Sequence, residues 1–240
     1  MKEFIRKFLR WMPISKKAMI EYYFDNSLGK EFGGPFNGQN ARQQIFKDLS
    51  SELAFAAIIE TGTFRGVTTA FMSEHTSKPV FTVEAEPRFF YYATHALRRF
   101  PKTKVKMGDS RNFITELISD EHVPKKNVFF YLDAHWNADL PLSEEVHLIE
   151  QHWTDAVIMI DDFEVPGDDG YKFDDYGEGK KLCLDYLGDT ASNWSAFFPS
   201  ATSDEETGFK RGCVILASKS LKEKLKTCTS LRLFEAASSA

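Results

Sequence analysis

From residue 56 the chain repeats one pattern five times: a short, nearly continuous apolar run, then a stretch with helical spacing. "AAIIE" precedes a helix pattern over 67–77, and "PVFTVEAE" precedes one over 88–99. "KVKMGD" leads into "SRNFITELI", and "VFFYLDAHW" into "LSEEVHLIEQHW". "DAVIMIDDF" leads through an acidic stretch into a helical "GKKLCLDYL". Apolar runs without alternation predict strands buried on both faces, and their repetition with helices predicts a parallel sheet covered on both sides. After these, "NWSAFFPS" and "FKRGCVILAS" are joined only by the polar "ATSDEETG". That spacing predicts an antiparallel hairpin at one sheet edge. The expected fold is α/β, a Rossmann-like doubly wound sheet, mostly parallel, with a C-terminal hairpin.

Before the repeat, "QNARQQIFKDLSSEL" places Ala41, Ile45, Phe46, Leu49 and Leu53 on one helical face. "GGPFNG" (33–38) is a loop signal. At the start, Phe4, Ile5, Phe8, Leu9 and Met12 recur at helical spacing between Lys2, Arg6, Lys7 and Arg10, and Pro13 ends the pattern. This amphipathic helix suits packing on its own domain, or on a second copy in a homo-oligomer, better than a membrane surface. No apolar run reaches the ~18 residues of a membrane span. Three widely spaced cysteines, Cys183, Cys213 and Cys228, fit a reduced, cytoplasmic setting, as does a start without a signal-peptide core.

Net charge over the 240 residues is −5, and it is not evenly spread. Between Asp161 and Glu178 lie eight carboxylates and one lysine, net −7, which leaves +2 for the rest. No basic block suggests nucleic acid. The alternating ligand spacing of an EF-hand is missing from "DDGYKFDDYGEG". Its glycines suit a lid loop, whose charge would draw cations or a cationic substrate group.

In an open parallel sheet, ligands bind beyond the carboxyl ends of the strands. Each of the five strands of the repeat ends in acid: Glu60, Glu84, Asp109, Asp133, and the pair Asp161–Asp162. Asp109 before "SRNF" suits a helix cap as well as a ligand contact. The turn "ETGTFRG" (60–66) lacks the G-x-G-x-x-G of dinucleotide folds. An acid directly before it suits a ligand with a cationic amino group and repels a pyrophosphate. Glu84 stands where a ribose diol would be held, and Asp109 with Ser110 where an adenine edge would be read.

"ETGTFRG", "VEAE" and "GDS", in that order and spacing, resemble the cofactor site of class I S-adenosylmethionine-dependent methyltransferases. The resemblance divides the chain into an N-terminal helix and lid segment, 1–38, and a methyltransferase domain, 39–240. It implies that Glu60, Thr61, Gly62 and Thr63 hold the methionine part of S-adenosylmethionine, Glu84 the ribose, and Asp109 and Ser110 the adenine. The endings "YLDAHW" and "MIDDF" are similar to those of cation-dependent O-methyltransferases, both the catechol enzymes and the macrocin O-methyltransferase type. Asp133, Asp161 and Asp162 are then the expected ligands of Mg²⁺ or another divalent cation. His135, two residues beyond Asp133, is the candidate general base. The implied acceptor is a small hydroxylated molecule, glycosyl or catechol-like. Two rivals stay open: a non-catalytic S-adenosylmethionine- or cation-binding module, and an NAD-linked oxidoreductase.

Overall fold

The computed structural model describes residues 11–25, 27–135 and 140–235. The N-terminal pattern from Phe4 to Leu9 and the indole of Trp136 lie outside the described residues. Helix α1 (Ile14–Phe24) and α2 (Asn40–Leu53) precede the repeat. The repeat itself runs β1 (Ala57–Thr61), α3 (Val67–Thr76), β2 (Val80–Glu84), α4 (Pro87–Leu97), β3 (Thr103–Met107), α5 (Ser110–Ser119), β4 (Val128–Leu132), α6 (Leu142–His152) and β5 (Val157–Ile160). Beyond it come the one-turn helix α7 (Leu184–Leu187), β6 (Trp194–Pro199), β7 (Val214–Ser218), the short α8 (Lys222–Leu225) and β8 (Leu231–Leu233).

The eight strands form one sheet in the order β3-β2-β1-β4-β5-β7-β6-β8. The first five pair in parallel, and β7, β6 and β8 are antiparallel to their neighbours. Every residue of β1, β2, β4 and β5 is buried, as strands covered on both faces must be. Successive side chains point to opposite faces. Ile59, Phe130, Leu132, Ile158 and Ile160 pack toward Phe113 and Ile114 of α5 and Val146 and Ile149 of α6. Ile58, Phe129, Tyr131, Val157 and Met159 pack toward Ile45, Phe46 and Leu49 of α2 and Met72 of α3. At the β3 edge, Lys104 and Lys106 are at the surface, where charge blunts edge-to-edge pairing.

Two expectations need correction. The β6–β7 hairpin forms, but β8 pairs with β6 and takes the outer edge. Three residues gave too short a signal to read. The helix expected at "GKKLCLDYL" shrinks to the single turn α7. Its first residues pair back on the acidic stretch instead: Leu182 N–H donates to Asp174 O (2.9 Å), and Glu164 N–H to Leu182 O (2.8 Å).

The chain crosses the sheet between β3 and β4, so the connections after β1 and β4 leave toward opposite faces at the switch point. The two strands pair in parallel from Ala57–Val128 to Thr61–Leu132, and contact continues past their ends. Asp133 N–H donates to Thr61 O (2.9 Å), and Gly62 N–H donates to Val83 O (3.0 Å). Gly62 sits at φ +88°, and a Cβ there would lie 2.3 Å from Asp133 O. This backbone contact by itself requires glycine. Gly62→Ala is expected to lower unfolding stability by about 2–4 kcal/mol through strain and overlap. Urea unfolding checks this, and an unchanged midpoint would refute the packing argument.

Candidate functional site

The ends of β1 and β2 gather the first group of side chains. Glu60 is fully buried, and its Oε2 accepts from the hydroxyls of Thr69 and Thr82. Its Oε1 has no partner among the described residues. Burial pushes its pKa up to about 7. Thr63 Oγ1 lies 2.5 Å from Thr82 Oγ1, while the buried Thr61 hydroxyl has no partner among the described residues. Glu84 accepts the amides of Phe64 (2.6 Å) and Glu86 (2.8 Å). Burial raises its pKa, against those amides. Each carboxylate oxygen can accept a second bond, so a diol could still be held.

Asp109, one strand further, caps α5 by accepting the amides of Arg111 (3.0 Å) and Asn112 (3.3 Å). It also pairs with the Arg111 guanidinium, which holds its carboxyl below the usual range. Ser110 is buried beside it. Glu60 and Thr63 therefore meet at Thr82, and Glu84 holds the next amide of the turn, Phe64 N–H, while the Thr61 side chain points to the opposite face of the sheet and the carboxylate of Asp109, beside Ser110, is used in the cap.

The second group lies at the ends of β4 and β5. One ligand atom each from Asp133, His135 and Asp162 come within 4.8 Å of one another. Asp161 does not join them. Its carboxylate pairs with the guanidinium of Arg42 and accepts from Tyr131 Oη (2.5 Å) and Asn37 Nδ2 (3.2 Å). Burial opposes its ionisation, but the Arg42 charge and the Tyr131 hydroxyl hold its pKa below the usual range. Asp133 is pushed well up by burial and then by the charges of Asp161 and Asp162. Asp162 is pushed up to about 7 by burial and by Asp161, although Arg211 pairs with it. His135 is 3% exposed, neither ring nitrogen has a partner among the described residues, and burial lowers its pKa.

The acidic stretch is held by the protein itself. Arg211, in the link between β6 and β7, grips both Asp162 and Asp174. Lys181 pairs with Glu164 (2.6 Å), and Asp168 accepts from the amide and hydroxyl of Ser203. The backbone joins in, with Asp174 N–H to Asp162 O (2.9 Å) and Gly212 N–H to Lys172 O (2.7 Å). Tyr176 Oη reaches Asp174 (2.6 Å) and His135 O (3.1 Å), bringing the stretch to the edge of the site.

Residues 28–38 bridge the two groups. Glu31 pairs with Arg65, whose buried guanidinium stacks 4.5 Å from the Phe64 ring centre. Phe36 N–H donates to Thr68 Oγ1 (3.1 Å), and Asn37 reaches Asp161. Sequence reasoning missed Arg42, Asn37, Tyr131 and Arg211. For Arg42 a signal existed: it lies three and four residues before Ile45 and Phe46, on the buried face of α2.

Arg42 is 1% exposed and also donates to the carbonyls of Arg211 and Gly212. Arg42→Met leaves Asp161 buried without its cation and is expected to cost about 3–5 kcal/mol at neutral pH. The stability due to Asp161's lowered pKa is present above the usual carboxylate range and lost as pH falls through that lowered value. The gap between wild type and Arg42→Met should therefore narrow in acid, and Arg42→Met/Asp161→Asn should recover part of the loss at pH 7. Denaturant unfolding across pH checks both. A loss below 1 kcal/mol at pH 7 would contradict the account.

No protein-family model matches the chain, and no curated protein sequence is similar to it. Solved structures do match. An O-methyltransferase from Bacillus cereus in complex with SAH has a TM-score of 0.57 at 16% identity, over 75% of this chain and 81% of that one. The O-methyltransferase TomG from Streptomyces achromogenes, involved in tomaymycin synthesis and in complex with SAM, has a TM-score of 0.55 at 14% identity, over 86% and 90%. Cofactor-bound Rv0187 from MTB has a TM-score of 0.52 at 12% identity, over 87% and 98%. The likeness spans most of each chain and is one of architecture: this chain has the fold of the class I methyltransferases.

Proposed function

We propose that the protein is a divalent-cation-dependent O-methyltransferase that uses S-adenosylmethionine and a small hydroxylated acceptor. One observation carries the reading. In a fold shared with SAH- and SAM-bound O-methyltransferases, a group with unpartnered polar atoms at β1 and β2 adjoins a carboxylate cluster at β4 and β5. The contact between Gly62 and Asp133 puts the two groups side by side.

S-adenosylmethionine, when bound, supplies a methyl group on a sulfonium. The residues around the first turn fit such a ligand. Glu60 and Glu84 are carboxyl groups facing a site that would hold a cation and a diol, and they would repel a pyrophosphate. Among the described residues Glu60 Oε1 has no partner, which leaves polar capacity under the turn.

Charge balance supports the cation. Asp133, Asp161, Asp162 and Asp174 oppose two guanidiniums, Arg42 and Arg211, which leaves two negative charges if all four ionise. Asp133, His135 and Asp162 would hold the cation. An imidazole in the donor set favours Mn²⁺ over the all-oxygen preference of Mg²⁺. A divalent cation supplies an electrophile that lowers the pKa of an acceptor hydroxyl. Arg42 keeps Asp161 ionised behind the cluster, and Arg211 steadies Asp162 from the other side. His135 has two roles open to it, ligand or general base, and burial shifts its pKa down, toward the neutral imidazole that either role needs.

S-adenosylhomocysteine is expected to bind with a dissociation constant on the order of 1 µM, about −8 kcal/mol. Glu84→Ala should weaken this by about 1–3 kcal/mol, the scale of charged hydrogen bonds. Calorimetry that detects no binding to the wild type would sink the reading.

Because His135 groups with the two aspartates, His135→Gln and Asp133→Asn should each reduce Mn²⁺ affinity by about tenfold or more, the least that losing a support of a metal ligand costs. Affinity for S-adenosylhomocysteine should stay near wild type in both. If His135→Gln keeps its Mn²⁺ affinity, His135 is not a ligand and the general-base role remains for it.

A further inference from the structure

Among the described residues few large apolar side chains are exposed. Most of them, Trp11, Ile14, Met19, Tyr23 and Phe24, belong to α1 and its flanks. Two others, Phe32 (44% exposed) and Phe209 (50%), come from distant parts of the chain, the segment before α2 and the β6–β7 link. Their rings nonetheless meet, with centres 5.6 Å apart. Phe32 also meets Phe64 of the first turn edge-to-face, at 5.8 Å. Phe64 in turn rests on Phe89 of α4, at 4.4 Å. Phe64, Phe32 and Phe209 thus form a row of rings, and the last two are half open to solvent.

The backbone holds this row in place. Phe32 (φ 62°) and Phe64 (φ 48°) adopt the left-handed conformation, which is unusual for a bulky side chain. Phe209 N–H donates to Asn37 O (3.1 Å), and Thr207 Oγ1 donates to Gly38 O (2.8 Å). Gly208 makes this possible: it sits at φ +64°, and a Cβ there would lie 2.3 Å from Asn37 O. Strained conformations persist only where the surroundings enforce them, and they gather at ligand sites. Neither Phe32 nor Phe209 enters the core, so core packing does not call for them.

Each end of the row adjoins one half of the proposed site. Phe64 N–H donates to Glu84 (2.6 Å). Phe209 lies two residues before Arg211, which holds Asp162 and Asp174. Asn37, whose carbonyl takes the Phe209 amide, reaches Asp161 with its side chain. An acceptor hydroxyl placed between the cofactor turn and the carboxylate cluster therefore has the row beside it. The groups at that cluster, Asp133, His135, Asp162 and Arg211, are all polar or charged. Small-molecule sites are lined mainly by apolar and aromatic side chains, with a few polar groups to fix orientation. The row supplies that lining.

The geometry points to Phe32 and Phe209 as specificity-determining residues for an acceptor that carries, beyond the hydroxylated part at the cation, an aromatic extension laid on these two rings. The inference rests on the O-methyltransferase reading. Inclined rings present both faces and edges, and an aromatic guest packs on them offset or edge-to-face. A bare sugar would fill the polar end and leave the row to water. A second copy of the chain would need a broader apolar patch than two half-exposed rings.

Calorimetry with catechol and 4-phenylcatechol, on protein saturated with S-adenosylhomocysteine and Mn²⁺, tests this. The wild type should bind 4-phenylcatechol at least tenfold more tightly than catechol. In Phe32→Ala and in Phe209→Ala that preference should fall below threefold. Because the ratio is taken within each variant, a change in overall binding does not enter it, and Phe209→Ala decides alone if Phe32→Ala does not fold. Phe24→Ala removes an exposed ring outside the row and should keep the wild-type ratio. A wild-type preference under tenfold overturns the inference and leaves the O-methyltransferase reading standing. A preference above threefold in Phe209→Ala, or one lost in Phe24→Ala as well, also overturns it. If the wild type binds S-adenosylhomocysteine but neither probe, the hydroxylated-acceptor reading falls with the inference. If it does not bind S-adenosylhomocysteine, the cofactor reading falls first.

Discussion

A guanidinium and a carboxylate, both shut off from water, meet where α2 crosses the end of β5. Arg42 and Asp161 are 1% and 0% exposed, and each would be prohibitive to bury without the other. Around this pair the rest of the sheet's carboxyl end is organised. Arg42 also donates to the carbonyls of Arg211 and Gly212, so it fastens the β6–β7 link. Asp161 receives Tyr131 from β4 and Asn37 from the segment before α2. Four parts of the chain, far apart in sequence, are joined through one ion pair. The link so fastened carries Arg211, which in turn holds Asp162 and Asp174. The crowding of acid in the stretch after β5 is thereby tolerated, while burial and the charges of Asp161 and Asp162 oppose the ionisation of Asp133.

On the proposed reading, the contact at the ends of β1 and β4 has a functional side. Methyl transfer needs donor and acceptor in line and nearly in contact, so the sites for the two must adjoin. Gly62 and Asp133 belong to different groups of the proposed site, and their backbones touch. The glycine that permits this contact would then set the spacing between the proposed cofactor turn and the proposed cation cluster. Residues 28–38 span the same two groups from outside, through Glu31 to Arg65 and Asn37 to Asp161.

Much of this architecture was legible in the sequence because burial on two faces leaves a plain mark. The runs at 57–61, 80–84, 128–132 and 157–160 have no polar alternation to confuse with anything else. β8 was not legible, since three residues between a short helix and the chain end carry no period. The site was legible as positions, not as directions. Strand-end position alone groups Asp161 with Asp162. The alternation that turns Val157 and Met159 toward α2 carries Asp161 the same way, to Arg42, and that partner comes from a helix more than a hundred residues earlier. Arg42 itself was hidden by its charge, which hydropathy patterns assign to solvent. Arg211 sat in a segment that reads as the start of a strand. Such partners emerge only when the packing that brings distant segments together is known.

The central claim is that the carboxyl end of this sheet holds a cofactor and a divalent cation in adjoining places, with Arg42 reserving Asp161 from the cation. A crystal structure grown with S-adenosylhomocysteine and Mn²⁺, with anomalous scattering recorded at the manganese edge, tests it most directly. The account predicts one strong anomalous peak bounded by Asp133, His135 and Asp162, the ribose hydroxyls on Glu84, and the Arg42–Asp161 pair intact. A peak coordinated by Asp161 with Arg42 displaced, or a nucleotide bound away from Glu84, would contradict it.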